Sequence, residues 1–178
     1  NININVGDEE KTITDSIVLK IDFDPSSSSA ARVFEIAAEL IHSLEDMDRV
    51  LGNSIYSGLN TSLIVEDLQK SSVKIWLRNV LEDMPDEALK DANFKKFLGH
   101  YLLKAKYAVI RTLDDENNDT KAITDLTEEV AQLARESDLR RLPDYPAPDP
   151  RKLAVPMDRF QEAKKRFHPN DGLVITLG

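Results

Sequence analysis

Four groups of residues combine side-chain types at spacings that do chemistry. Glu39 and His42 stand at i, i+3 with Glu45 one turn further on, and two such units on facing helices would build a di-metal carboxylate site. One unit is present, so a solvent-facing polar edge is expected and no metal is assigned. Asp22 and Asp24 place two carboxylates at the end of the strand-like run IVLKIDFD, and Glu66, Asp67 and Lys70 gather acids and an amine around a turn. Lys95, His100, Lys104, Lys106 and Arg111 form the fourth group: residues 92–111 carry +5 with no acid, so the remainder of a chain of net charge −9 carries −14. Such a basic strip offers an anion pocket or a contact for a protein partner. The alternative is pairing with acids of neighbouring helices, such as Glu45, Asp46 and Asp48, which at a surface adds little. At 100° per residue the five side chains spread over more than half the helix, so they do not share one face.

Two short stretches resemble catalytic motifs. IVLKIDFDPSSSS resembles the first motif of haloacid-dehalogenase-like phosphatases, which implies Asp22 as the nucleophile toward phosphorus and Asp24 as the acid that protonates the leaving group. The chain departs from that pattern at Pro25, in lacking a small-residue loop, and in lacking a later Lys and acidic pair on parallel strands. Period two also puts both carboxylates on the solvent side of an antiparallel strand, where strand exit and helix capping account for them. Glu66 and Lys70 resemble the acid and Glu-x-Lys of restriction-type nucleases, but their spacing crosses a turn and does not bring the Lys beside the acid on one strand face.

Stepping along the chain gives the elements that hold these residues. Residues 1–6 alternate Asn and Ile and read as a short strand; 16–24 place Ile17, Leu19, Ile21 and Phe23 on one face, and the two predict an antiparallel hairpin. The serines at 26–29 offer an N-cap to a helix over 29–55, whose inner stripe is Val33, Ile36, Ala37, Leu40, Leu44, Met47, Leu51 and Ile55. Residues 61–77 predict a second hairpin with arms SLIVEDL and VKIWL. A short helix over 85–90 precedes the helix 94–113, which is apolar on more than one face: Phe97, Leu98, Tyr101, Ala105, Ala108 and Val109 on one stripe, Leu103, Tyr107 and Ile110 on another. That helix demands cover on most sides. An amphipathic helix follows over 120–136, then the proline-rich RRLPDYPAPDP, a helix over 153–167, and LVITL, a strand that either joins the sheet or begins a further domain.

The order DFDPSSSSAARVFEIAAELIHSLEDMDRVLGNSI, LIVEDLQKSSVKIWLRNVL, FLGHYLLKAKYAVI resembles a family of uncharacterised bacterial proteins, some near mobile or antiviral defence loci. The resemblance spans 17–111 and implies a bacterial, cytoplasmic protein that works with partners. No functional residue carries over from it.

Strands in pairs followed by long helices predict an α+β fold, a small antiparallel sheet of hairpins with long amphipathic helices packed on one face. The expected organisation is a core domain over 1–142, a connector over 143–150, and a terminal helix and strand over 151–178. At 178 residues and 41% hydrophobic content the chain can bury a core without staples. It has no cysteine, which excludes thiolate nucleophiles, disulfides and Cys-ligated metals and fits a reducing cytoplasm. Three scattered histidines and no nucleophile elbow leave a Ser-His-Asp site unsupported, and six isolated glycines make no phosphate loop. An acidic balance argues against nucleic acid as partner. No apolar run is long enough to span a bilayer. The start at Asn1 and the stop just after a strand are those expected of a piece of a longer protein. The sequence thus predicts a non-catalytic interaction or regulatory module with a protein partner or a second copy and no cofactor. A phosphoryl-transfer or metal-dependent enzyme using Asp22 and Asp24, or a phosphate or nucleotide sensor using the basic helix, is the alternative.

Overall fold

A computed structural model describes residues 2–6, 16–23, 29–55, 60–69, 73–82, 94–114, 120–136 and 148–177. Its elements are β1 (Ile2–Val6), β2 (Ser16–Asp22), α1 (Ala30–Ile55), β3 (Asn60–Gln69), β4 (Val73–Glu82), α2 (Phe94–Asp114), α3 (Thr120–Glu136), α4 (Pro150–Lys165) and β5 (Gly172–Leu177). The helix expected over 85–90 and residues 143–147 of the connector lie outside the described residues. Pro150, assigned from sequence to the connector, is instead the first residue of α4. Its fixed φ and missing N–H suit that position.

The five strands lie in the order β1-β5-β2-β4-β3, antiparallel throughout except that β1 runs parallel to β5. The fold is α+β, with the helices packed on one face of the sheet. The second expected hairpin forms as β3 and β4, but the first does not. β5 lies between β1 and β2, which keep opposite directions without touching. Composition explains the exchange: LVITL is apolar enough for two neighbours, whereas the Asn alternation of β1 suits an edge. Of the two placements open for the last strand, joining the sheet is the one observed.

β2 sits at the centre and shows why its residues form a strand. Ile17, Leu19 and Ile21 are wholly buried. Leu19 stands between Ile75 of β4 and Ile175 of β5, and Ile21 between Val73 and Leu173. Ile75, Ile175 and Leu173 are buried with them, giving apolar rows across three strands for the helices to cover. Each such side chain withdrawn from water contributes about 1.5–3 kcal/mol.

The cover begins with α1. All eight residues of its expected inner stripe are buried. Ser29 starts it, its Oγ accepting from the Arg32 N–H at 3.2 Å. α2 meets the demand of its two apolar stripes: Leu98, Tyr101, Leu103, Ala105, Ala108, Val109 and Ile110 are all buried. Among them lies Lys106, with none of its side chain exposed, its Nζ 3.2 Å from Asp48 Oδ2 on α1. Tyr101 also joins these helices, donating its OH to the Leu51 carbonyl at 3.4 Å. Burial pushes the Tyr101 phenol up to about 12, against a smaller opposing effect of its hydrogen bond with Ser54. No helix among the described residues is long and apolar enough to cross a membrane.

Two stability measurements follow. Lys106→Met and Asp48→Leu each remove one half of a buried ion pair and should cost about 3–5 kcal/mol in urea unfolding, while the double substitution should recover most of that loss. Because the folded Tyr101 pKa lies above the unfolded value near 10, its contribution is complete below pH 10 and is lost as pH rises toward 12. Tyr101→Phe should flatten the alkaline limb of stability against pH in that window.

Candidate functional site

α4 packs along α1 through Leu153, Met157, Phe160 and Ala163, all buried. Its start is well defined. Asp149 caps the helix, accepting from the Arg151 N–H at 2.9 Å, with Pro150 behind it. Pro156 lies inside the helix and has no N–H to give the Lys152 carbonyl, so the cap, worth about 1 kcal/mol, supports a weakened first half.

Above that apolar contact runs a row of ion pairs. On α1, Glu35, Glu39 and Asp46 recur at helical spacing and face Arg159 and Arg166 of α4. Arg159 Nε is 3.0 Å from Glu39 Oε2, and its Nη1 is 3.1 Å from Asp46 Oδ2. Arg166 Nη2 is 2.9 Å from Glu35 Oε2. Asp46 also accepts from Arg49 through Oδ1 at 2.8 Å. The donated hydrogen bonds of Arg159 hold the Glu39 carboxyl below the usual range, and Glu39 in turn raises Arg159. At the far end, Arg32 joins the row by reaching the buried Asp171 at 3.0 Å and the Arg166 carbonyl at 3.2 Å. Asp171 Oδ2 also accepts from the His168 N–H at 2.8 Å, fastening the turn before β5 to the start of α1.

Where the row ends, α1 and α4 leave a groove of about 630 Å³, lined by the apolar Val50, Pro148, Val155 and Pro156 and by Arg49, Asn53, Ser54 and Lys152. Both oxygens of Asp46 are engaged by arginines and Asp149 is engaged by the cap, so the groove's acids are occupied within the fold. Val155 is 68% exposed at its rim. Sequence reasoning missed this place. The signal was there: Val155 stands 200° around the helix from Leu153, off the buried stripe, with Pro156 next to it.

The basic strip does not form one site. Lys106 points into the core, and Arg111 turns to Glu129 of α3 and lies 6.0 Å from the centre of the Tyr107 ring. Lys104 is exposed, His100 half-buried, and the side chain of Lys95 lies outside the described residues. The pairing alternative holds for Lys106, with Asp48, and for Arg111. Glu39 is taken by Arg159, and His42 Nδ1 stands 3.5 Å from Glu45. Asp22 is exposed at the end of β2, 3.7 Å from Lys20; Asp24 and Lys70 lie outside the described residues. Among the described residues no group of three or more His, Cys, Asp or Glu is placed to hold a metal ion. No protein-family model and no curated protein matches the chain in sequence.

The row of ion pairs gives a pH dependence of known sign. A carboxyl held below its unfolded pKa stabilises the fold above that value, here 4.5, and the contribution is lost as pH falls through the lower, folded value. Glu39 and Arg159 are each more than a third exposed, so solvent screens the pair. Glu39→Gln should therefore flatten the acid limb of thermal stability below pH 4.5 by a small amount, and 1 M salt should remove most of the difference from the unsubstituted chain.

Proposed function

We propose that this chain is a non-catalytic interaction or regulatory module that works with a protein partner in a bacterial multi-protein system. The observation that supports the reading is the groove between the C-terminal half of α1 and the start of α4. It combines apolar walls, Val50, Pro148, Val155 and Pro156, with polar groups of both signs at its border. Val155 keeps two-thirds of its surface in water, where an apolar side chain gains nothing for the isolated fold. Burial of the exposed two-thirds of that side chain by a partner would contribute about 1 kcal/mol. The groove offers orientation through Arg49, Asn53 and Lys152 and affinity through its apolar walls, the division of labour usual at interfaces.

The setting, a bacterial system of several proteins, is that of the family the sequence resembles. In such a system the module supplies position rather than chemistry.

The test is affinity purification of the unsubstituted chain and of Val155→Glu from the native host, with mass spectrometry and light scattering on what co-elutes. As a surface change, Val155→Glu should move stability by no more than about 0.5 kcal/mol. A defined complex formed by the unsubstituted chain and lost with Val155→Glu is the expected result. A strict monomer with no partner, or a complex indifferent to Val155→Glu, would overturn the reading.

A further inference from the structure

The two edges of the sheet differ in character. β3 carries a bulge between Val65 and Asp67, and Glu66 and Asp67 belong to the bulged stretch. A bulge and adjacent acids are devices that prevent another strand from adding to an edge. β1 has neither. It pairs with β5 in unbroken register from Ile2 opposite Leu173 to Val6 opposite Leu177, and its sequence, ININV, contains no charge, no proline and no glycine. No described strand pairs with its other side. Each strand in a sheet directs alternate N–H and C=O groups to either side, so the outer edge of β1 presents a set of them.

What fits that edge follows from the order of the five residues. Read in reverse, ININV keeps its alternation. An antiparallel pairing centred on Ile4 sets Ile4 opposite Ile4 of a second copy, Asn3 opposite Asn5, and Ile2 opposite Val6. Apolar positions meet apolar ones, amides meet amides, and no like charges face one another across the contact. With a net charge of −9 on each chain, an uncharged strand is where two copies meet with least direct repulsion.

We propose that the outer edge of β1, which no described strand covers, is a docking site for a second copy of this chain, joined antiparallel about Ile4 so that the two sheets run on across a two-fold axis. The contact is isologous, as a two-fold requires, and closes on itself without leading to fibres. It is independent of the α1–α4 groove.

The absence of cysteine makes the register directly testable in the full 178-residue chain. Residues opposite one another in an antiparallel pair have Cα atoms about 4.5–5.5 Å apart, within the roughly 4.4–6.8 Å that a disulfide spans. Under mild oxidation Ile4→Cys should give a covalent dimer. Val6→Cys alone should not, since Val6 faces Ile2, and the double variant Ile2→Cys/Val6→Cys should restore the crosslink. Sedimentation equilibrium should show a reversible dimer of the unsubstituted chain that is lost in Asn3→Lys/Asn5→Lys, which sets lysines opposite one another. Should that variant also melt earlier, the cysteine pattern decides, because it requires no disruption of the edge. A monomer at every concentration, equal crosslinking of Ile4→Cys and Val6→Cys, or a dimer that survives both lysines in a chain of unchanged melting temperature would overturn the proposal.

Discussion

An ammonium group withdrawn from water must be met by an anion at hydrogen-bond distance, and Lys106 is such a group. Its partner, Asp48, is 1% exposed and belongs to α1. A contact of this kind tolerates little sliding. Moving α2 by one turn along α1, about 5.4 Å, would part the two buried charges. Apolar residues around the pair pack in many registers at similar cost, whereas the pair accepts one. Once α1 and α2 are locked, the buried stripe of α1 has its place in the core it shares with Ile17, Leu19 and Ile21, and another side of α1 is open to α4. The ion pairs from Glu35, Glu39 and Asp46 to Arg159 and Arg166 act in a different regime. They are wetter and weaker, and they orient α4 over a contact whose energy comes from Leu153, Met157 and Phe160.

That division bears on function. Most charge on the α1–α4 side is spent on internal contacts, and the groove remains where the row of ion pairs stops, beside Pro156. On α2 the basic residues are likewise divided between the core, α3 and solvent. A basic strip in a sequence is therefore no measure of a basic surface in the fold.

Much of the fold was legible because it rests on local periodicity. The stripe of α1 recurs at helical spacing from Val33 to Ile55, and β2 alternates from Leu19 through Lys20 and Ile21 to Asp22. The position of β5 was not legible, since it depends on pairings between residues 150 to 171 apart in the chain, from Asp22 with Gly172 to Ile2 with Leu173, and nothing in LVITL says whether its neighbour is β2 alone or β1 as well. The burial of Lys106 was hidden by the expectation that lysines stay outside. Its neighbours gave the clue: Leu102, Leu103, Val109 and Ile110, at i−4, i−3, i+3 and i+4, surround it with apolar side chains, all of them buried. Lys104, with His100 and Tyr107 beside it on the helix, sits at the margin of that patch and is exposed. The groove escaped notice because it belongs to two helices a hundred residues apart, and a periodicity argument considers one helix at a time.

The most direct measurement of this account is a nitrogen-15 correlation spectrum of the lysine side-chain ammonium groups near neutral pH. Protected in the core and held by Asp48, the Lys106 ammonium should give a signal whose protons exchange slowly with water, while that of Lys104 is lost to rapid exchange. If Lys106 exchanges as fast as Lys104, it is not buried against α1, and the register of α1 and α2 described here is wrong.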